Sequence, residues 1–121
     1  MNDLERLHLF LLQFPEVTEE FPFGPEAAVY KVAGKMFSIL LPDEVPCRMN
    51  LKCDPDRAAE LRAEWDAIEP GYHQNKKHWN TLVLDGTLAD DFIEELIHHS
   101  FDLVVAGHNR TTKDRILAQI G

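Results

Sequence analysis

No run of about 18 apolar residues occurs in this sequence, so nothing in it is expected to cross a membrane as a helix. The opening MNDLERLHLF has an early acid and no basic n-region, so no secretory signal is expected and the expected location is cytoplasmic. Cysteine is scarce, with only Cys47 and Cys53. On one continuous strand they share a face but lie about 20 Å apart at ~3.3 Å per residue. A disulfide needs Cα atoms within about 7 Å, so both read as reduced, buried thiols suited to a cytosolic setting. Also missing are internal repeats, low-complexity tracts and linkers. There is no GxSxG, no P-loop and no glycine-rich dinucleotide turn. HExxH and CxxC are absent, His73 and His78 are five apart, and the adjacent His98 and His99 diverge by about 100° on a helix. Hence no enzyme, catalytic residue, metal site or cofactor is expected.

Basic residues are few, 12 against 21 acids, for a net charge of −9. That disfavours nonspecific attraction to nucleic acid, which rests on phosphate neutralisation. The deficit is uneven. Residues 1–30 carry six acids against Arg6 alone, whereas 47–53 and 71–80 each carry two cations and no acid.

What is present suits one ordinary domain over residues 1–121, at 45% hydrophobic content. Leu4, Leu7, Leu11 and Phe14 repeat at helical spacing, predicting a helix over 3–13 that Asn2 caps and Pro15 ends. A turn-rich segment follows over 21–26. Ala28–Val32 and Met36–Leu41 read as a hairpin about Ala33-Gly34-Lys35. Pro42–Pro46 is a loop. Cys47–Cys53 alternates, with Cys47, Met49, Leu51 and Cys53 on one face and Arg48, Asn50 and Lys52 on the other. Asp54 and Pro55 start a helix to Trp65. His78–Leu84 reads as a strand. Thr87, with Asp90 three residues on, is the expected cap of a long helix burying Phe92, Ile93, Leu96, Ile97, Ser100, Phe101 and Val104. A last helix spans about 112–120, with Asn109 and Thr111 as start signals. The order α-β(n)-α-β-α predicts an α+β fold: an antiparallel sheet with helices packed mainly on one face.

The most unusual stretch is the decapeptide Gly71–Asn80, GYHQNKKHWN. Tyr72, His73, Asn75, Lys76, Lys77, His78, Trp79 and Asn80 crowd donors, acceptors, aromatic faces and positive charge together. Such a set suits anion or phosphate recognition, or stacking on a planar ligand. The competing expectation is a solvated loop whose polar groups satisfy its own backbone, with Trp79 in the core. If Cys47–Cys53 neighbours His78–Leu84, the Arg48, Asn50 and Lys52 face joins either His78 and Asn80 or Trp79 and Thr81. A basic surface of Arg48, Asn50, Lys52 and His78 or Asn80 would follow.

FPFGPEAAVYKVAGKMFSIL (Phe21–Leu40), MNLKCDP (Met49–Pro55), PGYHQNKKHWNTLVLDG (Pro70–Gly86) and LIHHSFDLVVA (Leu96–Ala106) give the chain a family likeness. It resembles the MmcQ/YjbR-like family of small bacterial proteins. The resemblance implies a frataxin-like (CyaY-like) or secretion-chaperone-like arrangement and, through the label its members carry, DNA as partner. The expected role is therefore binding, with Arg48, Lys52, Lys76 and Lys77 on phosphate and Tyr72 or Trp79 stacking. The alternative is a protein-interaction or chaperone-like module, or a binder of a small anionic ligand.

Overall fold

The computed structural model describes residues 4–72 and 74–120. Among the described residues four helices and six strands follow in the order α1 (Leu4–Leu12), β1 (Val17–Glu20), β2 (Ala28–Val32), β3 (Lys35–Leu41), β4 (Arg48–Lys52), α2 (Pro55–Glu64), β5 (Ile68–Pro70), β6 (Trp79–Val83), α3 (Asp90–Ala106) and α4 (Arg110–Ile120). The strands form one antiparallel sheet in the order β1-β2-β3-β4-β6-β5, so the α+β expectation holds.

Local chemistry explains most boundaries. The β2–β3 turn places Ala33 and Gly34 at φ of 47° and 85°, the left-handed pair that a two-residue hairpin turn needs. The Asp54 carboxylate accepts from the backbone N–H groups of Asp56 and Arg57, and Pro55 opens α2 as expected. Asn109 likewise accepts from the Thr112 N–H to start α4. The expected Thr87 cap of α3 is corrected. Thr87 donates both its hydroxyl and its N–H to Asp85, two residues back, and the cap position falls to Ala89, which has no side-chain bond to give. Asp85 wins because the Gly86 turn, at φ 91°, folds Thr87 back onto it.

Helices α1, α2 and α3 cover one face of the sheet, and α4 packs against α3. Leu40, Met49, Leu51 and Leu82 from the sheet meet Leu7, Leu11, Leu61, Ile97 and Phe101 in the main core. Removing one such buried leucine costs about 2–5 kcal/mol. Phe37 sits at an irregularity in the β2–β3 register and turns into this core beside Ser38, where it contacts Phe14 and Phe101. Ser100, buried on α3, accepts from the Lys52 N–H and donates to the Phe37 carbonyl, so one hydroxyl ties the helix to two strands.

No helix of the described residues covers the opposite face. Its small apolar cluster of Ala27, Val29 and Ile39, flanked by Met36 and Leu41, draws on strands and loop alone.

Two edge strands were not expected. β1, with sequence VTEE, has one apolar residue in four and looks like loop. β5 has three residues and ends in proline. Both lie at sheet edges, where a short, charged or proline-bearing strand discourages further pairing.

Candidate functional site

The register decides which side chains share the helix-free face. Asn50 pairs with Thr81, Lys52 with Trp79 and Arg48 with Val83, so the partners of the β4 polar face are Trp79 and Thr81. Asn80 points the other way, its Nδ2 toward the Ala58 carbonyl of α2. The basic surface expected from Arg48, Asn50, Lys52 and His78 or Asn80 therefore does not form as such. Asn50 is itself 2% exposed, and Trp79 is 8% exposed, so Tyr72 at 49% is the exposed aromatic of the decapeptide. Arg48 and Lys52 also stand at opposite ends of β4, about 13 Å apart. Arg48 is 4.0 Å from Glu69 and shares a cleft with Glu64, Asp66 and Asp85, an acidic neighbourhood. Lys52 lies at the other end, where the Cys53 N–H donates to the His78 carbonyl, the end of the sheet from which the segment carrying Lys76 and Lys77 enters β6.

The decapeptide spans the β5–β6 connection and the first two residues of β6. Much of its polarity serves its own backbone: Asn75 accepts from the Lys77 N–H, and Lys76 Nζ donates to the Gly71 carbonyl. Arg62 of α2 reaches in and donates to the Lys76 carbonyl. His73, named as a candidate, lies outside the described residues. His78 is half-buried and Lys77 exposed. Cys47 and Cys53 are free thiols at the two ends of β4, and burial pushes Cys53 up to about 11. Among the described residues no three His, Cys, Asp or Glu side chains converge as a metal site. His98 instead lies 3.5 Å from Asp102 one turn along α3.

The helix-free face carries a groove of about 350 Å³. Ala27, Ile39 and Leu41 give it an apolar floor, with Asn50 at one side. Phe23, 67% exposed, stands on one flank from the β1–β2 connection. Tyr72 and Gln74 stand on the other flank from the decapeptide, and Glu44 of the β3–β4 connection is at the rim. Sheet pairing places the β1–β2 and β5–β6 connections at opposite ends of the strands, so the two flanks reach this face from opposite directions.

The Tyr72 flank is held by buried polar groups. Asn50 Nδ2 donates to the Tyr72 carbonyl at 3.0 Å. The Tyr72 N–H donates to Thr81 Oγ1 at 2.8 Å, and Thr81 Oγ1 donates to Asn50 Oδ1 at 2.5 Å. Buried amides and hydroxyls satisfied in this way fix the groups they join. Asn50 is thus a support for the loop rather than a solvent-facing strand residue. Gly71 allows the approach: a Cβ there would lie 2.6 Å from Trp79 Cβ and 2.8 Å from the Trp79 carbonyl oxygen.

Sequence reasoning located Tyr72 and the β4 polar face but missed Phe23, Ile39, Leu41 and Glu44 as groove residues. One signal was available: Phe21 and Phe23 stand between Pro15 and Pro25 in a turn-rich segment, where a large apolar residue has no helix or strand to bury it.

Comparison with known proteins fits this architecture. The YjbR family model matches residues 12–103. The uncharacterized protein YbdF of Escherichia coli O157:H7 is 34% identical over 105 residues, covering 87% of this chain and 86% of that protein. The uncharacterized protein YyaQ of Bacillus subtilis (strain 168) is 44% identical over 55 residues, 46% of each chain. Among solved structures, the crystal structure of Deinococcus radiodurans protein DR2400, with a DUF419 domain, superposes with a TM-score of 0.88 at 36% identity, covering 96% of this chain and 88% of that one. A Pseudomonas syringae protein gives 0.72 at 28% identity, covering 85% and 98%. The chain belongs to the YjbR family.

Proposed function

We propose that this protein is a binding protein whose ligand enters the groove between Phe23 and Tyr72. The observation that carries this reading is an apolar floor left open on the helix-free face, with one flank fixed by the Asn50–Thr81–Tyr72 hydrogen bonds. Ligand sites are typically concave and largely apolar, with a few placed polar groups, and run from about 300 to 1,000 Å³. The groove falls at the small end of that range, which favours a compact ligand. A cytoplasmic setting goes with this reading, since Cys47 and Cys53 are both free.

The test uses neutral indole as probe, followed by amide NMR. Shifts should centre on Ile39, Leu41 and Asn50, and should vanish when Phe23→Ala is combined with Tyr72→Ala. Both side chains are largely exposed, so their loss should leave the fold intact. Absence of shifts, or shifts elsewhere on the protein, would remove the reading.

Nucleic acid is the second reading. Its support is the grouping of Lys52, Lys76 and Lys77 at one end of the sheet, near exposed Tyr72. Against it stand the net charge of −9 and the acidic surroundings of Arg48. If those lysines meet phosphate, Lys76→Ala with Lys77→Ala lowers affinity for a DNA duplex. Each lysine–phosphate pairing that the substitutions abolish also reduces the slope of log K against log salt by about 0.9. Unchanged affinity and slope would discard it.

A further inference from the structure

The groove does not end at its apolar floor. Leu41 and Glu44 also border an adjoining depression of about 220 Å³, whose other walls are Glu26 and Asp43. Three carboxylates thus gather at one end of the groove. Among the described residues none of the three has an ion-pair partner. Among the described residues no lysine or arginine borders the groove or the depression. Of the cations on this face, Lys31 lies 3.2 Å from Glu20 and Arg48 lies beside Glu69, while Lys52 stands at the Tyr72 end of the strands, opposite the connections that carry the three carboxylates. At the end where Glu26, Asp43 and Glu44 gather, an anionic ligand would meet repulsion.

We propose that the groove selects a small aromatic amine, an inference that rests on the groove being a ligand site at all. The ring lies over Ile39 and Leu41 between Phe23 and Tyr72, and the ammonium group faces Glu26, Asp43 and Glu44. Each part follows from separate chemistry. Aromatic side chains on both flanks suit a planar ring through offset or edge-to-face contact. The same rings attract a cation through their faces. Unpaired carboxylates at the rim add favourable charge for an ammonium and unfavourable charge for a carboxylate, in a domain that is acidic overall. The volume suits a ring with a short side chain and not an extended peptide.

Three probes of one shape and different charge separate the possibilities: tryptamine, neutral indole and indole-3-acetate. Affinities are measured by amide NMR titration at low and at high salt. Tryptamine should bind about tenfold more tightly than indole-3-acetate at low salt, the size expected of a few solvent-exposed charge pairs. The gap should narrow at high salt, where such pairs are screened. Glu26→Gln with Glu44→Gln should close most of the gap while leaving the affinity of neutral indole unchanged. Both positions are exposed, so the variant keeps its fold. If indole-3-acetate binds as well as tryptamine, the charge selection is wrong and the groove as a ligand site survives. A tryptamine preference whose shifts map to the Glu69 and Asp85 cleft also overturns it. If none of the probes shifts Ile39, Leu41 or Asn50, the groove reading fails along with this one.

Discussion

Replacing Thr81 with valine keeps the volume and β-branching of a strand residue while deleting one hydroxyl. That hydroxyl accepts from the Tyr72 N–H and donates to Asn50 Oδ1, and Thr81 is 1% exposed. Two hydrogen bonds at about 1 kcal/mol each disappear. Asn50 Oδ1, buried among strands, is left without its donor, which adds about 1–3 kcal/mol of uncompensated desolvation. The expected destabilisation is about 2–4 kcal/mol after partial relaxation, a large share of the ~5–15 kcal/mol typical of a domain. Urea unfolding measures it directly. With a slope of about 1–3 kcal/mol per molar, the midpoint should fall by roughly 1–2 M at unchanged slope. Amide exchange at Tyr72 should accelerate beyond the global change, because the flank loses its anchor. Thr81→Ser is the control: it keeps the hydroxyl and sheds only a methyl, so it should cost about 1 kcal/mol. The reasoning is refuted if Thr81→Val costs less than about 0.5 kcal/mol, or if serine is as damaging as valine.

Two further outcomes follow from close neighbours in the fold. Gly71→Ala places a methyl group against the Trp79 Cβ and backbone, neither of which can swing aside, so stability should fall by about 1–3 kcal/mol in the same urea assay; a wild-type midpoint would contradict the close approach. Arg115 and Gln119 of α4 donate to the Glu16 carboxylate, and the Arg115 hydrogen bond holds its pKa below the ordinary value of 4.5. A carboxylate depressed in the folded state adds stability above its unfolded pKa, and that stability fades as pH falls through the lower folded value. Wild type and Glu16→Gln should therefore differ most at neutral pH and converge below about pH 4.5, whereas parallel stability curves would rule out the linkage.

Legibility in the sequence tracked how local the cause of each feature is. Asp54-Pro55, Ala33-Gly34 and Asn109 act within two or three residues, and each does so in the fold. Thr87 failed as a cap because two local acceptor geometries competed, and the turn at Gly86 decided between them. The strands β1 and β5 carry no hydrophobic period of their own; they exist because β2 and β6 offer an edge to pair with.

The candidate site divides the same way. The decapeptide was visible as an oddity of composition, and its Tyr72 and Gln74 flank the groove. Its lysines were visible too. Which strand residues they would meet was not, because a one-residue change in the β4–β6 register exchanges Trp79 and Thr81 for His78 and Asn80.

By itself the sequence determined the α+β class, four of the six strands, and the face of β4 that enters the core. These follow from apolar periodicity and turn chemistry, which are properties of neighbouring residues. Only the tertiary structure decided that one face of the sheet goes without a helix, that Asn50 and Thr81 are buried there to hold Tyr72, and that Phe23 stands across from it. Phe23 and Tyr72 are 49 positions apart in the chain. Their meeting depends on the order of strands between them, and no local pattern records that order.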